Sequence, residues 1–228
     1  MIVIKALFLF IVSMPAFAFT IASGHPSGVY FQVASEICAN YKCKVRQTAG
    51  SSENVKLLLN GSVEAGLVQG NVPELDGFYS MPLYKEYMFL ITAPHFHINS
   101  VQDLNGKTGG INKKSGHGEA FNILVNTFNL QNINLKEEMF FAKRVQDLCT
   151  GKIDFVLLFI SEQSQALRDM LAICNVNLYS FSYNEIEKLE RASPNLHMDG
   201  VLNARTVGAD VKLYSRNFKI NLDNPTKM

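Results

Sequence analysis

No stretch of this chain carries a run of basic residues, and 21 Lys+Arg against 20 Asp+Glu leave a formal net charge of +1. Phosphate backbones and anionic lipid surfaces are gripped by concentrated positive charge, so nucleic acids and lipid headgroups are poor partners. Charged residues are sparse, at 18% against roughly 25% in ordinary soluble domains, which argues against a disordered chain. No G-x-S-x-G elbow is present, and no cysteine pair has the C-x-x-C spacing of a zinc knuckle. No set of nucleophile, base and orienting group assembles along the sequence, so an enzyme is not expected. What remains is a chain of 228 residues, 47% apolar, long enough for one domain or two modest lobes without a metal to hold them.

The longest apolar run stands at the start. Residues 1–18 read MIVIKALFLFIVSMPAFA, with Lys5 as the only charge, an apolar stretch from Ala6 to Met14, a breaker at Pro15 and small residues at Ala16 and Ala18. That stretch is shorter than the roughly 20 residues a membrane-spanning helix needs, and the small residues stand where signal peptidase requires them. The segment is therefore expected to be a cleaved signal peptide, placing the mature chain in the periplasm or outside the cell. No cysteine follows the cleavage point to accept a lipid, and the later apolar runs YMFLITA and FVLLFI are only strand-sized, so membrane insertion of the mature chain is not expected.

Export gives the four cysteines a meaning, because an even count in an oxidising compartment forms a disulfide framework with three possible connectivities. Sequence alone does not choose among them. The local pairing of Cys38 with Cys43 and Cys149 with Cys174 is favoured, since each pair then lies within one half of the chain.

Hydrophobic patterning gives a strand at Phe19–Ser23, a turn, a helix from Val29 to Tyr41, a strand at Lys44–Thr48, a helix at Glu53–Asn60 and a strand at Val63–Gln69. That alternation is the signature of a mostly parallel α/β sheet with crossover helices. After a break at Asn71–Ser80, Tyr84–Thr92 reads as a long strand. The rhythm then restarts, with a strand at Lys107–Ile111, a helix at Glu119–Leu130, a short helix at Phe140–Cys149, a buried strand at Lys152–Ile160 and a helix at Ser161–Cys174. Beyond Ser182 only Asn184–Arg191 reads as helical, and the last 30 or so residues look weakly patterned. The expected division is a first lobe over 19–92, a second over 93–181 and a C-terminal segment over 182–228.

Three polar, glycine-containing turns precede helices: SGHPSG at 23–28, AGSS at 49–52 and KKSGHG at 113–118. Helix N-termini present unsatisfied N–H groups and partial positive charge, so turns converging from two lobes would receive an anion or carboxylate. His25 and His117 fall in two of these turns, where they could face each other as a pH-sensitive clamp or as metal ligands. No third ligand is evident, and ordinary exposed loop histidines are the commoner outcome.

Several blocks then point to a family. TIASGHPSGVYFQVASEIC and CKVRQTAGSSENVKLLLNGSVEAGLVQGNV resemble the opening lobe of TAXI proteins, the extracytoplasmic solute-binding receptors of a class of TRAP transporters. LYKEYMFLITA with INSVQDLNGK resembles the hinge strand and the start of the second lobe, and LCTGKIDFVLLFISEQSQALRDMLAIC its helix, strand and helix. The resemblance implies a two-lobed type II periplasmic-binding fold closing on a small carboxylate, often glutamate- or glutamine-like, and handing it to an inner-membrane TRAP permease subunit. It implies no cofactor, metal or catalysis, and it supports the local disulfide pairs. Carried over by position, Ser23, Gly24, His25, Gly28, Val29 and Tyr30 would form the first ligand loop. Ser51 and Ser52 would offer donors at the second helix, Gln69 and Asn71 amide contacts, and Ser115 and Gly116 the anion cradle of the second lobe. The family continues beyond DVKLYSRNFKINLDNPTKM with a return strand through the hinge and C-terminal helices, so a fold incomplete at the C-terminus is expected. A secreted interaction protein or antigen that keeps the fold without transport is the rival reading.

Overall fold

The computed structural model describes residues 19–26, 28–113, 115–138 and 140–216; the signal segment read over 1–18 lies outside them. Five elements form the first half: β1 (Thr20–Ala22), α1 (Val29–Tyr41), β2 (Lys44–Arg46), α2 (Ser51–Leu59) and β3 (Ala65–Gln69). A 14-residue strand, β4 (Tyr79–Thr92), leads to β5 (Thr108–Ile111), α3 (Gly116–Phe128), β6 (Asn134–Glu137), α4 (Phe141–Cys149), β7 (Phe155–Ile160) and α5 (Gln165–Ile173). β8 (Asn177–Leu178), α6 (Tyr183–Ala192), β9 (His197–Val201) and β10 (Ala204–Ser215) complete the elements of the described residues.

All ten strands join one mixed sheet, ordered β2-β1-β3-β10-β4-β7-β5-β6, with β8 beside β4 and β9 beside β10. β1 lies parallel to β2 and β3, and β5 lies parallel to β6 and β7. Between these two parallel sets run β10, antiparallel to β3 and β4, and β4, antiparallel to β7. Two long strands therefore cross from one half to the other. The return crossing that the resemblance put beyond the end of the chain is present as β10. Its signal is the alternation of Val207, Ala209, Val211 and Leu213, all buried, interrupted by Asp210 and Lys212.

Each half of the sheet is covered on both faces, which is why its strands read as apolar runs. In β7, Phe155, Leu157 and Phe159 pack with Phe121, Leu124 and Phe128 of α3, while Val156 and Leu158 pack on the other face with Val145 and Leu148 of α4 and Leu167 and Met170 of α5. In the first half, Ile21, Ala65 and Leu67 meet Tyr30, Ala34 and Ile37 of α1, and Ala22 and Val68 meet Leu57 and Leu58 of α2. The buried stripe of α1 is Tyr30, Ala34, Ile37 and Cys38, with Val29 and Val33 only half-buried at its edge. Gly70, directly after β3, passes so close to β10 that a Cβ there would stand 2.6 Å from the Asp210 carbonyl oxygen.

The cysteines pair as Cys38–Cys43 and Cys149–Cys174, which excludes them as metal ligands. The first bridge spans 5 residues and pins α1 to β2; the second spans 25 and ties the end of α4 to the end of α5. In the chain-entropy account the longer loop contributes about 3.5 kcal/mol and the shorter about 2 kcal/mol. Replacing Cys149 and Cys174 by Ser is accordingly expected to lower the urea midpoint more than replacing Cys38 and Cys43. Equal losses would contradict that ranking.

Candidate functional site

α2 and α3 both begin earlier than their patterning suggested, at Ser51 and Gly116, because small residues carry little hydrophobic signal but fit a tight first turn. Their starts meet: a Cβ on Gly50 (φ 118°), the residue before α2, would lie 3.6 Å from the Ser115 Cα before α3. α1 joins them through Tyr30, whose hydroxyl lies 3.1 Å from Ser51 Oγ. Tyr30, Ser51, Gln69, Asn71, Ser115 and Gly116 are thereby gathered in one place, where the C-terminal end of β3 faces the start of α3.

Neither α2 nor α3 is capped by a side-chain hydroxyl. Ser51 Oγ accepts from the Gln69 backbone N–H at 3.0 Å, because the start of α2 packs on the end of β3, and Gly50 takes the capping position. Ser115 Oγ donates to the Asn112 carbonyl at 2.9 Å within its own turn. Ser23 is fully buried and donates to the Arg46 carbonyl at 2.9 Å, joining the ends of β1 and β2 rather than pointing outward. Ser52 is half-buried and His25 is exposed. A Cβ on Gly24 would stand 3.2 Å from Tyr30 Cβ, so that glycine admits the tyrosine. Gly28 precedes α1, and Val29 lines an open cleft of about 490 Å³ together with Gln32, Val33, Tyr84, Tyr87 and Ser161.

Gln69 is the centre of the arrangement. It is 6% exposed, and its Nε2 donates to a Glu86 carboxylate oxygen and, at 2.8 Å, to the Phe159 carbonyl of β7. Its Oε1 lies 1.6 Å from where a Cβ on Gly116 would stand, so only glycine leaves room for it. Asn71 reaches the same turn, with Nδ2 donating to the Gly116 carbonyl at 3.3 Å. Side chains of the first half thus touch the backbone of the second at two points.

The sequence reading missed Glu86, Tyr84, Asn54 and Arg144. Glu86 lies on β4, 3% exposed, with Tyr84 Oη at 3.5 Å from Oε1; burial pushes its carboxyl up to about 8 against the opposing pull of the Gln69 and Tyr84 hydrogen bonds. Burial, and then Glu86, raise Tyr30, and the same two causes raise Tyr84, so both phenols stay neutral. Asn54 Nδ2 donates to the carbonyls of Ser23 and Leu67 at 2.6 and 2.7 Å, and its Oδ1 accepts from Thr48 Oγ1 at 2.6 Å. A single amide therefore fixes the turn after β1, the strand β3 and the turn before α2.

His117 does not form a clamp with His25. Its Nδ1 accepts from the Phe159 N–H at 2.9 Å, and burial, aided by the nearby Arg144 cation, holds it down to about 3, neutral throughout the physiological range. Arg144 is 5% exposed on α4 and donates to the Glu138 carbonyl at 2.6 Å. No group of three metal-ligating side chains occurs among the described residues. No helix among them is long and apolar enough to cross a membrane.

A family model described as the NMT1-like family matches residues 78–211, from the start of β4 into β10. Among solved structures, the chain is similar to an ancestral arginine-binding protein bound to arginine, at 12% identity and TM-score 0.56 over 87% of this chain and 84% of that one. It is similar to the regulatory domain of NMB2055 (MetR), a LysR family regulator from N. meningitidis, at 12% identity and TM-score 0.61 over 87% and 83%. It is also similar to the GluR0 ligand-binding core in complex with L-glutamate, at 12% identity and TM-score 0.54 over 90% and 87%. At such identities the likeness is one of fold, the type II periplasmic-binding-protein-like α/β fold. No curated protein matches the chain.

Proposed function

Since the chain belongs to the NMT1-like family, we propose that it is an exported solute receptor that binds a small carboxylate, such as a glutamate- or glutamine-like metabolite, between its two halves. The observation that carries this reading is the meeting of Gln69 and Asn71 with the first turn of α3. Backbone N–H groups at the starts of α2 and α3 suit a carboxylate, and β4 and β10 are the strands about which the halves would move. The signal-like start and the two disulfides support a periplasmic or secreted location. On the resemblance to TAXI proteins, the receptor would deliver its solute to an inner-membrane TRAP permease. The lobes would divide at 92/93, with the segment from 182 returning to the first lobe only in part, through the end of β10. The fold's relatives include binding proteins and regulatory domains, in keeping with binding rather than catalysis.

A second reading, a secreted interaction protein that keeps the fold without transport, draws on one observation: Gln69 itself fills the space over Gly116. A thermal-shift screen of the oxidised protein against amino acids, dicarboxylates and keto acids separates the two. A ligand at 100 times its dissociation constant adds about 2.7 kcal/mol, raising the midpoint by roughly 5 °C or more. A cooperative melt that no solute moves would favour the second reading.

A further inference from the structure

The two halves share no apolar core among the described residues. On the crossing strands, Tyr84 and Val211 pack into a cluster of the first half, Tyr87 and Ala209 into clusters of the second, and Lys85, Glu86 and Asp210 lie between them. β10 also shifts register against β4 between Val211 and Lys212, an irregularity at which a strand pair bends. Two bodies joined in this way can turn about the crossing unless something else holds them.

What holds them is polar. Gln69 Nε2 carries two hydrogens: Glu86 takes one, which keeps the amide turned toward the second half, and the Phe159 carbonyl of β7 takes the other at 2.8 Å. Asn71 Nδ2 reaches the Gly116 carbonyl at 3.3 Å. The ion pair of Lys85 on β4 with Asp199 on β9, 3.6 Å apart and open to water, adds little. The contact is also incomplete. Gln69 Oε1 and Asn71 Oδ1 are buried in it with no hydrogen-bond partner among the described residues. Permanent packing leaves few such atoms. Two hydrogen bonds gained are set against two acceptors stripped of water, so closing and opening are nearly balanced.

We propose that Gln69, assisted by Asn71, is a latch that holds the halves together in the protein without solute and occupies the first turn of α3 until it is withdrawn. Gly116 admits it, since a Cβ at that position would collide with the Gln69 carboxamide. While the latch is shut, nothing else reaches that turn. A solute binds there only from the opened fraction, and its apparent affinity is reduced by that fraction. The latch goes beyond the solute reading and belongs to the solute-free protein, so its failure leaves that reading standing.

Small-angle scattering and amide hydrogen exchange of the oxidised protein, with no solute added, test this. Gln69→Ala, checked for a cooperative melt, is expected to have a larger radius of gyration than the unsubstituted protein, and its Phe159 and Gly118 amides to exchange about tenfold faster. Gly116→Ala leaves the Gln69 amide intact but without room, so it should expand the protein equally, and combining the two substitutions should add nothing. Asn71→Ala removes only the second contact; it should give a smaller change in the same direction, and it serves in place of Gln69→Ala if that variant does not fold. A folded Gln69→Ala as compact as the unsubstituted protein, with unchanged exchange, overturns the proposal and makes Gln69 a packing residue of one rigid body. An unsubstituted protein already as expanded as Gln69→Ala overturns it as well.

Discussion

Glu86→Gln is expected to stabilise the protein at pH 8 by roughly 4 kcal/mol relative to its effect at pH 5, where it changes little. The sign follows from the buried carboxyl, which in the folded chain holds its proton up to about 8 and in the unfolded chain releases it near the ordinary carboxylate value of 4.5. Between those values the folded state binds more protons than the unfolded one, so Glu86 lowers stability as pH rises through that window and no further above it. Glutamine resembles the protonated carboxyl in shape and can still accept from Gln69 Nε2. His117 acts in the opposite sense, since its folded value near 3 makes acidification below about 6.5 destabilising, but it is common to both proteins and cancels in their difference. Urea unfolding of the two proteins from pH 5 to pH 9 measures the effect, and a difference that did not change with pH would mean that Glu86 is ionised in the fold.

The second large effect is expected at Asn54. Asn54→Ala removes the donors to the buried Ser23 and Leu67 carbonyls and one acceptor of the Thr48 hydroxyl, which keeps the Ser23 carbonyl at 3.0 Å as its partner. A buried group left unmet costs about 1 to 3 kcal/mol and each further hydrogen bond lost about 1 kcal/mol, so the loss should be about 2 to 4 kcal/mol. Asn54→Asp keeps the shape but not the donors, and should lose a comparable amount. As a control, Asn40 on the outer face of α1 donates only to the Glu36 carbonyl in the preceding turn, and Asn40→Ala should cost less than about 0.5 kcal/mol. A mild Asn54→Ala would show that the three turns hold their positions without the amide.

These two residues mark where the sequence stopped being legible. Strands covered on both faces announced themselves as apolar runs, so β3, β7 and the C-terminal part of β4 were readable, as was α1 to its last residue. Edge strand β6 was not, because Asn134–Glu137 is polar and partly exposed and reads as a connector. β10 was missed although it alternates, since Asp210 and Lys212 punctuate a strand whose other residues are largely buried. At the site, the glycine turns correctly marked the starts of α2 and α3, because a tight first turn leaves a local signature. The direction of a side chain does not: Ser23, Ser51 and Ser115 were read as ligand donors, and each is used by the protein's own backbone or side chains. Glu86 looked like one more charge in LYKEY, and only the crossing of β4 beneath Gln69 buries it. Asn54 lies within the helix read over Glu53–Asn60 with nothing to mark it, and only the packing of α2 on β1 and β3 gives its amide three partners.

A crystal structure of the protein with the tightest-binding solute from the screen addresses the account most directly. The expected map shows the solute between the halves, its carboxylate at the starts of α2 and α3 and a polar group within hydrogen-bonding distance of Gln69 Oε1 or Asn71 Oδ1. A solute lodged instead beside Val29 and Val33, with Gln69 and Asn71 unchanged and their acceptors still unmet, would contradict it.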